Sequence, residues 1–319
     1  MILIMSNKWD ITCDFVVMEL RRRGQSFVRI NTEDLPAARA TVTLPDFHIY
    51  LKRDGICRDL AAEVKVIWNR RPGKPFDDVR AADRPSAATQ KFVSDQWYSW
   101  LESLQLLRDV TWINHPQAND AMESKVRQLF LARKVGFEIP ETWISNDPDA
   151  VRRGIAQAPR GLVVKALYSP LIEEPAGDSF IFTTPLRGIR KEDDTSITIC
   201  PSIFQQMLEP KVDFRVTVVG DRVFAVKIEI LEGDPNEVDW RVRKNGLRFT
   251  RCEIPASIED LCRVYVKEAG LLFGAVDFVE HEGKFIFLEI NPNGEWGWLQ
   301  KPHNVPIAET LCDLMISRD

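Results

Sequence analysis

The stretch Phe285-Ile286-Phe287-Leu288-Glu289-Ile290-Asn291-Pro292-Asn293-Gly294 decides the reading of this chain. Glu289 interrupts an otherwise apolar run, and Asn291 to Gly294 closes it with turn-forming residues, so a buried strand ending at a cleft edge is expected. Upstream, Ala275 to Val279 reads as its partner across a Glu282-Gly283 turn. Glu289 and Asn291 are two residues apart and share one face. Asp277 falls opposite or diagonal to them, and cross-strand neighbours lie within roughly 5 to 8 Å. Two carboxylates on an apolar sheet are costly without a counterion, and an all-oxygen donor set suits Mg2+. Spacing alone leaves solvated strand residues equally open; the apolar flanks weigh against them.

Two lysines gain meaning beside that hairpin. Lys165 sits inside Leu162-Val163-Val164-Lys165-Ala166-Leu167, where an ammonium is expensive unless paired. A polyphosphate is a suitable partner; a snorkelling surface lysine is the alternative. Lys125 opens a helix whose cap is expected at Asn119 or Asp120, with Glu123 completing a capping box and Val126, Leu129 and Phe130 forming the apolar face. Gly136 and Pro140 end it. The chain has no GxxxxGK[ST] loop and no kinase-type HRD or DFG set, so nucleotide binding would need another scaffold.

Further out, Ile2 to Met5, an apolar-spaced stretch from Ile11 to Leu20 and Phe27 to Ile30 read as β-α-β. Val64 to Trp68 is a further buried strand, and Trp97 to Leu107 reads as helix. Leu162 to Leu167 and Phe180 to Thr184 suggest a hairpin with a polar tip over Pro170 to Ser179. Ile203 to Leu208, Phe214 to Val219 and Val223 to Ile230 are strands, the last two joined at Gly220-Asp221, and a helix carries Ile258, Leu261, Cys262, Tyr265 and Ala269 on one face. The fold class is therefore α/β (α+β), in segments 1–112, 113–200 and 201–319.

Composition narrows the function classes. With 319 residues the chain holds more than one structural unit. A net charge of -5 argues against general nucleic-acid binding, which needs many Lys and Arg contacts. No apolar run reaches the roughly 18 residues of a membrane span, so no membrane role is expected. The apolar start lacks a basic leader, which predicts a cytoplasmic protein. Six scattered cysteines and four histidines show no ligand spacing; reduced, buried thiols without zinc or disulfides are expected.

Taken together, Lys125, Lys165, the Gln205-Gln206-Met207-Leu208 strand end and the Asp277, Glu289, Asn291 trio resemble the ATP-grasp fold. Within it the chain is similar to the graspetide (microviridin-type) ligases, macrocyclases of ribosomal precursor peptides. The stretches that carry this likeness are Val66-Ile67-Trp68-Asn69-Arg70-Arg71-Pro72, Ile113-Asn114-His115-Pro116, Asp213-Phe214-Arg215-Val216-Thr217-Val218-Val219-Gly220, Val238-Asp239-Trp240-Arg241 and Asn291-Pro292-Asn293-Gly294-Glu295-Trp296. RimK-like glutamate ligases share the acid-Asn pattern.

The resemblance implies an N-terminal pre-ATP-grasp domain, a central lid-bearing domain and a C-terminal, mostly antiparallel domain with the metal site. It implies ATP and Mg2+ as cofactors, with adenine against Gln206, Met207 and Leu208, Glu209 or a neighbour near the ribose, and Lys125, Lys165 and Arg241 at phosphates. Asp277, Glu289 and Asn291 would hold the metal. Asp213 and Arg215 match the family's Asp-x-Arg pair for a substrate carboxylate, a strand salt bridge being the plain alternative. Arg70 and Arg71 admit two readings, surface ion pairs or a guanidinium directed at an acidic peptide. The glycine-rich phosphate loop is thin, with Gly177 alone in 170–179. Partners implied are a precursor peptide, leader plus acidic core, with the Pro170 to Thr184 hairpin as a leader dock, and a second copy in a homodimer. The implied reaction activates a peptide Glu or Asp as an acyl phosphate and closes it onto Thr or Ser hydroxyls or a Lys amine. Its rivals are a RimK-like ligase adding amino acids and a non-catalytic, nucleotide-gated peptide-binding module.

Overall fold

Ile2–Ser6 is buried along its whole length, as a strand covered on both faces must be. It forms the middle of a parallel sheet, with Phe27–Asn31 on one side and Val66–Asn69 then Thr111–Ile113 on the other. A computed structural model of the chain describes all residues except 169, 170, 173–178, 234–236, 244 and 302, and gives position 81 by its backbone alone. The described residues form two compact units. One comprises Met1–Pro116, Gly270–Phe273 and Glu295–Asp319; the other comprises Gln117–Ala269 and Gly274–Gly294.

The first unit adds to its parallel sheet a three-stranded antiparallel sheet, Arg39–Thr43, His48–Arg53 and Ile56–Asp59, which the sequence pattern did not announce. The C-terminal helix Ile307–Ile316 also belongs here. It packs against the first helix, Ile11–Arg22, where Arg23 reaches Asp313 at 2.5 Å and the carbonyl of Glu309 at 3.2 Å.

The second unit carries two antiparallel sheets. The smaller runs Thr184–Leu186, Leu162–Lys165, Ser202–Gln206, Thr142–Ser145. The return strand that pairs with Leu162–Lys165 is thus Thr184–Leu186, one step later than expected, while Leu171–Ile172 and Ser179–Phe180 make a short ladder of their own. The expected tip, with Gly177, lies outside the described residues. The larger sheet runs Leu247–Cys252, Arg222–Ile230, Val212–Val219, Phe273–His281, Lys284–Asn291. Its last hairpin turns at Glu282 and Gly283, both at positive φ (51° and 77°), the conformation a tight two-residue turn requires.

One irregularity in that hairpin sets the site. Asp277 stands opposite Glu289, but Phe278 stands opposite Phe287, so Leu288 is an extra residue. A bulge of this kind shifts parity. Phe287 can then face the helices while Leu288 and Glu289 face the other way. On the helix side Phe287 stacks on Phe137 at 5.6 Å and meets Tyr265 at 5.1 Å and Phe278 at 5.9 Å.

The helix packed there, Lys125–Val135, corrects two expectations. Its cap is Ser124, whose side chain accepts from the Arg127 N–H, whereas Asn119 and Asp120 lie in a separate short helix, Pro116–Ala121. The buried face is Gln128, Leu129 and Ala132; Val126 and Phe130 are exposed. Gly136 ends the helix at φ 117°, as expected. All six cysteines are free, and Cys13, Cys262 and Cys312 are buried as expected, but Cys57 and Cys200 are exposed. No helix among the described residues is long and apolar enough to cross a membrane.

Because Phe287 is fully buried in this aromatic cluster, Phe287→Ala should destabilise the protein by about 3–5 kcal/mol. Urea denaturation checks this; a loss under about 1 kcal/mol would contradict the packing.

Candidate functional site

Strand Lys284–Asn291 is held at its end by Gln128. This buried side chain accepts from the Ile290 N–H at 3.1 Å and donates to the Ile290 carbonyl at 3.0 Å, so an amide stands in for a neighbouring strand at the residue between Glu289 and Asn291. The sequence reading passed over Gln128. Its signal was a polar residue on the face that the helix periodicity should keep apolar, three residues after Lys125. Docked in this way, the helix brings Lys125 Nζ to 2.7 Å from Glu289 Oε2.

Glu289 and its strand neighbour Asp277 are each matched by a cation. Arg215, from Val212–Val219, donates from Nε to Asp277 Oδ1 at 2.7 Å. Arg241 reaches Glu289 Oε1 at 3.5 Å and is itself held by Asp239 through paired bonds of 2.8 and 2.9 Å. Asp239, 4% exposed, also accepts from the Thr183 N–H at 3.3 Å. A planar guanidinium held by a bidentate carboxylate keeps its orientation.

The charges do not settle equally. Burial raises the Asp277 carboxyl above the usual carboxylate range; Arg215 opposes this and the Glu289 charge adds to it. Burial would raise Glu289 too, but Lys125, Arg241 and Lys165 together hold it well below the usual range. Lys165 is pushed down by burial, and Glu289 restores part of its basicity. Among the described residues Lys165 makes no ion pair, so it is the ammonium in this cluster most in need of an anionic partner.

Two adjoining recesses share Lys165, Thr183, Val238 and Leu288. The first is mostly apolar and lies between Val163, Gln206, Met207 and Leu208 on one side and Val279 and Leu288 on the other. The second is polar, lined by Lys165, Asp213, Asp239, Arg241, Asp277 and Glu289. Chemically, this joins a slot for a flat apolar group to a chamber where cations and carboxylates alternate.

The structure therefore brings together Lys165, Gln206, Met207, Leu208, Asp213, Arg241, Asp277 and Glu289, with Lys125 and Arg215 bonded to the two acids. Asn291 shares their strand but is exposed, its Oδ1 accepting from the Asn293 N–H at 3.0 Å. Glu209 follows Leu208 but lines neither recess. Arg70 and Arg71 belong to the first unit. Arg70, 1% exposed, lies 3.2 Å from Asp10 and 3.1 Å from Glu295; Arg71 also pairs with Glu295 and is 38% exposed. Among the described residues no group of three or more His, Cys, Asp or Glu converges on a metal position. The pair Asp277 and Glu289 fits Mg2+, which commonly takes one or two carboxylates and completes its shell with phosphate and water.

Known structures share this fold. The macrocyclase MdnC from Microcystis aeruginosa, crystallised with precursor peptide MdnA, matches with a TM-score of 0.85 and 23% identity, covering 100% of both chains. A RiPP-associated ATP-grasp ligase from Chryseobacterium gregarium, in complex with ADP and a leader and core peptide, matches with a TM-score of 0.85 and 25% identity, covering 100% of this chain and 97% of that one. The chain has the ATP-grasp fold, in the form seen in graspetide macrocyclases. The ATP-grasp ligase PsnB, complexed with minimal precursor, Mg and ADP, matches this ATP-grasp chain with a TM-score of 0.79 at 22% identity, covering 99% of it and 96% of PsnB. By sequence, 105 residues are 34% identical to the tetrahydromethanopterin:alpha-L-glutamate ligase of Methanocaldococcus jannaschii, a stretch that spans 33% of this chain and 34% of that relative. No family model matches the sequence.

Arg215 and Asp277 form a largely buried pair, 9% and 16% exposed. Arg215→Met, which strands the carboxylate, should destabilise this ATP-grasp protein by about 3 kcal/mol. Adding Asp277→Asn should return at least about 1 kcal/mol of that loss in a double-mutant cycle. Simple additivity in urea denaturation would mean the two groups do not interact.

Proposed function

We propose that this chain is an ADP-forming ATP-grasp ligase that macrocyclises a ribosomal precursor peptide. The observation that carries the reading is the in-register pair Asp277 and Glu289 set among Lys125, Lys165 and Arg241, beside an apolar recess walled by Gln206, Met207 and Leu208. In this reading the adenine occupies the apolar recess and the polyphosphate the polar one. Lys165, lacking an ion pair among the described residues, meets the phosphates with Lys125 and Arg241. Asp277, Glu289 and Asn291 are the residues to hold Mg2+, which when bound offsets phosphate charge.

The chemistry assigned to the chain is stepwise. A Glu or Asp carboxylate of the peptide attacks the terminal phosphorus of ATP, forming an acyl phosphate as ADP leaves. A Thr or Ser hydroxyl, or a Lys amine, of the same peptide then attacks that carbonyl, and inorganic phosphate leaves as the ester or amide forms. The protein contributes position and fixed charge rather than a covalent group. Arg215 and Asp213, on one face of their strand, address the reacting carboxylate and the nucleophile. The leader is assigned to the segment around the Leu171–Ile172 and Ser179–Phe180 ladder, where Leu171, Ile172 and Phe180 are exposed; this supports a dock distinct from the recesses, so that a tethered core reaches the site by effective concentration.

The stretch alike to a glutamate ligase supports a second reading, addition of glutamate to an acceptor carboxylate. Mass spectrometry of the product separates the two. Macrocyclisation removes one water per ring, whereas ligation adds an amino-acid residue.

With a precursor peptide from a neighbouring short reading frame, Mg2+ and ATP, the wild type should release ADP only when peptide is present. Glu289→Gln and Lys165→Ala should each lower that rate by at least about 10³-fold; full activity in both would remove the site. Arg215→Ala should slow ring formation far more than it weakens ATP binding. An equal loss in both would move Arg215 to the phosphates.

A further inference from the structure

Lys211 immediately precedes strand Val212–Val219, two residues before Asp213 and four before Arg215, so the three side chains share one face. Its Nζ donates to Asp213 Oδ2, and the two side chains are only 7% and 13% exposed. The partners line different recesses. Lys211 lies with Gln206, Met207 and Leu208 in the apolar one, and Asp213 lies with Asp277 and Glu289 in the polar one. A lysine can serve both, because its methylene stem is apolar and only its tip is charged.

We propose that Lys211 is a positioning residue: its stem forms part of the wall against which the nucleotide base packs, and its ammonium fixes the Asp213 carboxylate at the polar recess. The inference rests on the reading of the two recesses given above. Asp213 needs such a partner. Burial raises its carboxyl pKa; Lys211, just before its strand, does most to oppose this, Lys165 of Leu162–Lys165 opposes it less, and Asp239 reinforces it. Removing the ammonium therefore favours the protonated form of Asp213, and its carboxylate would appear only at higher pH. Stem and tip can be removed separately. Lys211→Met keeps the stem and deletes the charge, Lys211→Ala deletes both, and Lys211→Arg keeps both.

The test uses the full chain, with ADP and Mg2+ as the binding probe and carboxyl-carbon NMR to follow the titration of Asp213, assigned by Asp213→Asn. In Lys211→Met the Asp213 titration should move up by about 1 pH unit or more, while ADP affinity stays within about threefold of wild type. Lys211→Ala should move the titration equally and also lose about tenfold in ADP affinity through the missing methylenes. Lys211→Arg should return the titration to its wild-type position. An unmoved titration in Lys211→Met overturns the proposal with the nucleotide reading intact, and so does an ADP loss in Lys211→Met as large as in Lys211→Ala. A wild type that binds no ADP overturns the nucleotide reading and the role of the stem with it, and is recognised before any variant is made.

Discussion

Asp277 and Glu289 stand side by side on paired strands, and much of the second unit answers the cost of putting them there. Two half-buried carboxylates in register repel each other and lose hydration, so each is met by a cation or takes up a proton. Arg215 meets the first and Lys125 the second, from different elements. The extra residue at Leu288 makes the arrangement compatible with packing. Without it, Phe287 would fall on the carboxylate face and the aromatic cluster around Phe137 and Tyr265 would lose a member.

That cluster supports the site from behind. Phe137, Tyr265, Phe278 and Phe287 form a close-packed layer, and Gln128 clamps the backbone of Ile290 in front of it. Side chains whose backbone is fixed in this way need little reorganisation when charge develops nearby, the condition under which electrostatic stabilisation is most effective. Asp239 does the same for Arg241, holding its guanidinium by two bonds while leaving an edge toward Glu289.

The balance of charge has its own meaning. Among the described residues Lys125, Lys165, Lys211, Arg215 and Arg241 face Asp213, Asp239, Asp277 and Glu289, so the cations there outnumber the acids, and Lys165 is left without an ion pair. A desolvated ammonium beside paired charges suits a polyanion carried with a divalent cation better than a neutral ligand. The apolar recess next to it suits the flat part of a nucleotide. A partly buried lysine by itself can be structural, and an apolar recess by itself can take many ligands; side by side with two paired carboxylates in one unit, they favour a nucleotide as the ligand.

The sequence by itself determined the first β-α-β segment, the late hairpin with its turn at Glu282-Gly283, the shared face of Asp277 and Glu289, and the oddity of a lysine at 165. These were legible because strand and helix periods are local and a charge inside an apolar run stands out in any window. Short motifs also carried the likeness to ATP-grasp proteins. Other features were hidden from it. The cap at Ser124 competed with equally good capping residues at Asn119 and Asp120, and only docking chose between them. Arg70 and Arg71, neighbours in sequence, differ widely in exposure because only Arg70 is enclosed beside Asp10 and Glu295. Gln128 against Ile290, Asp239 beneath Arg241 and Lys211 across from Asp213 were decided by tertiary structure, since hydrogen-bond partners depend on where elements dock rather than on what the residues are.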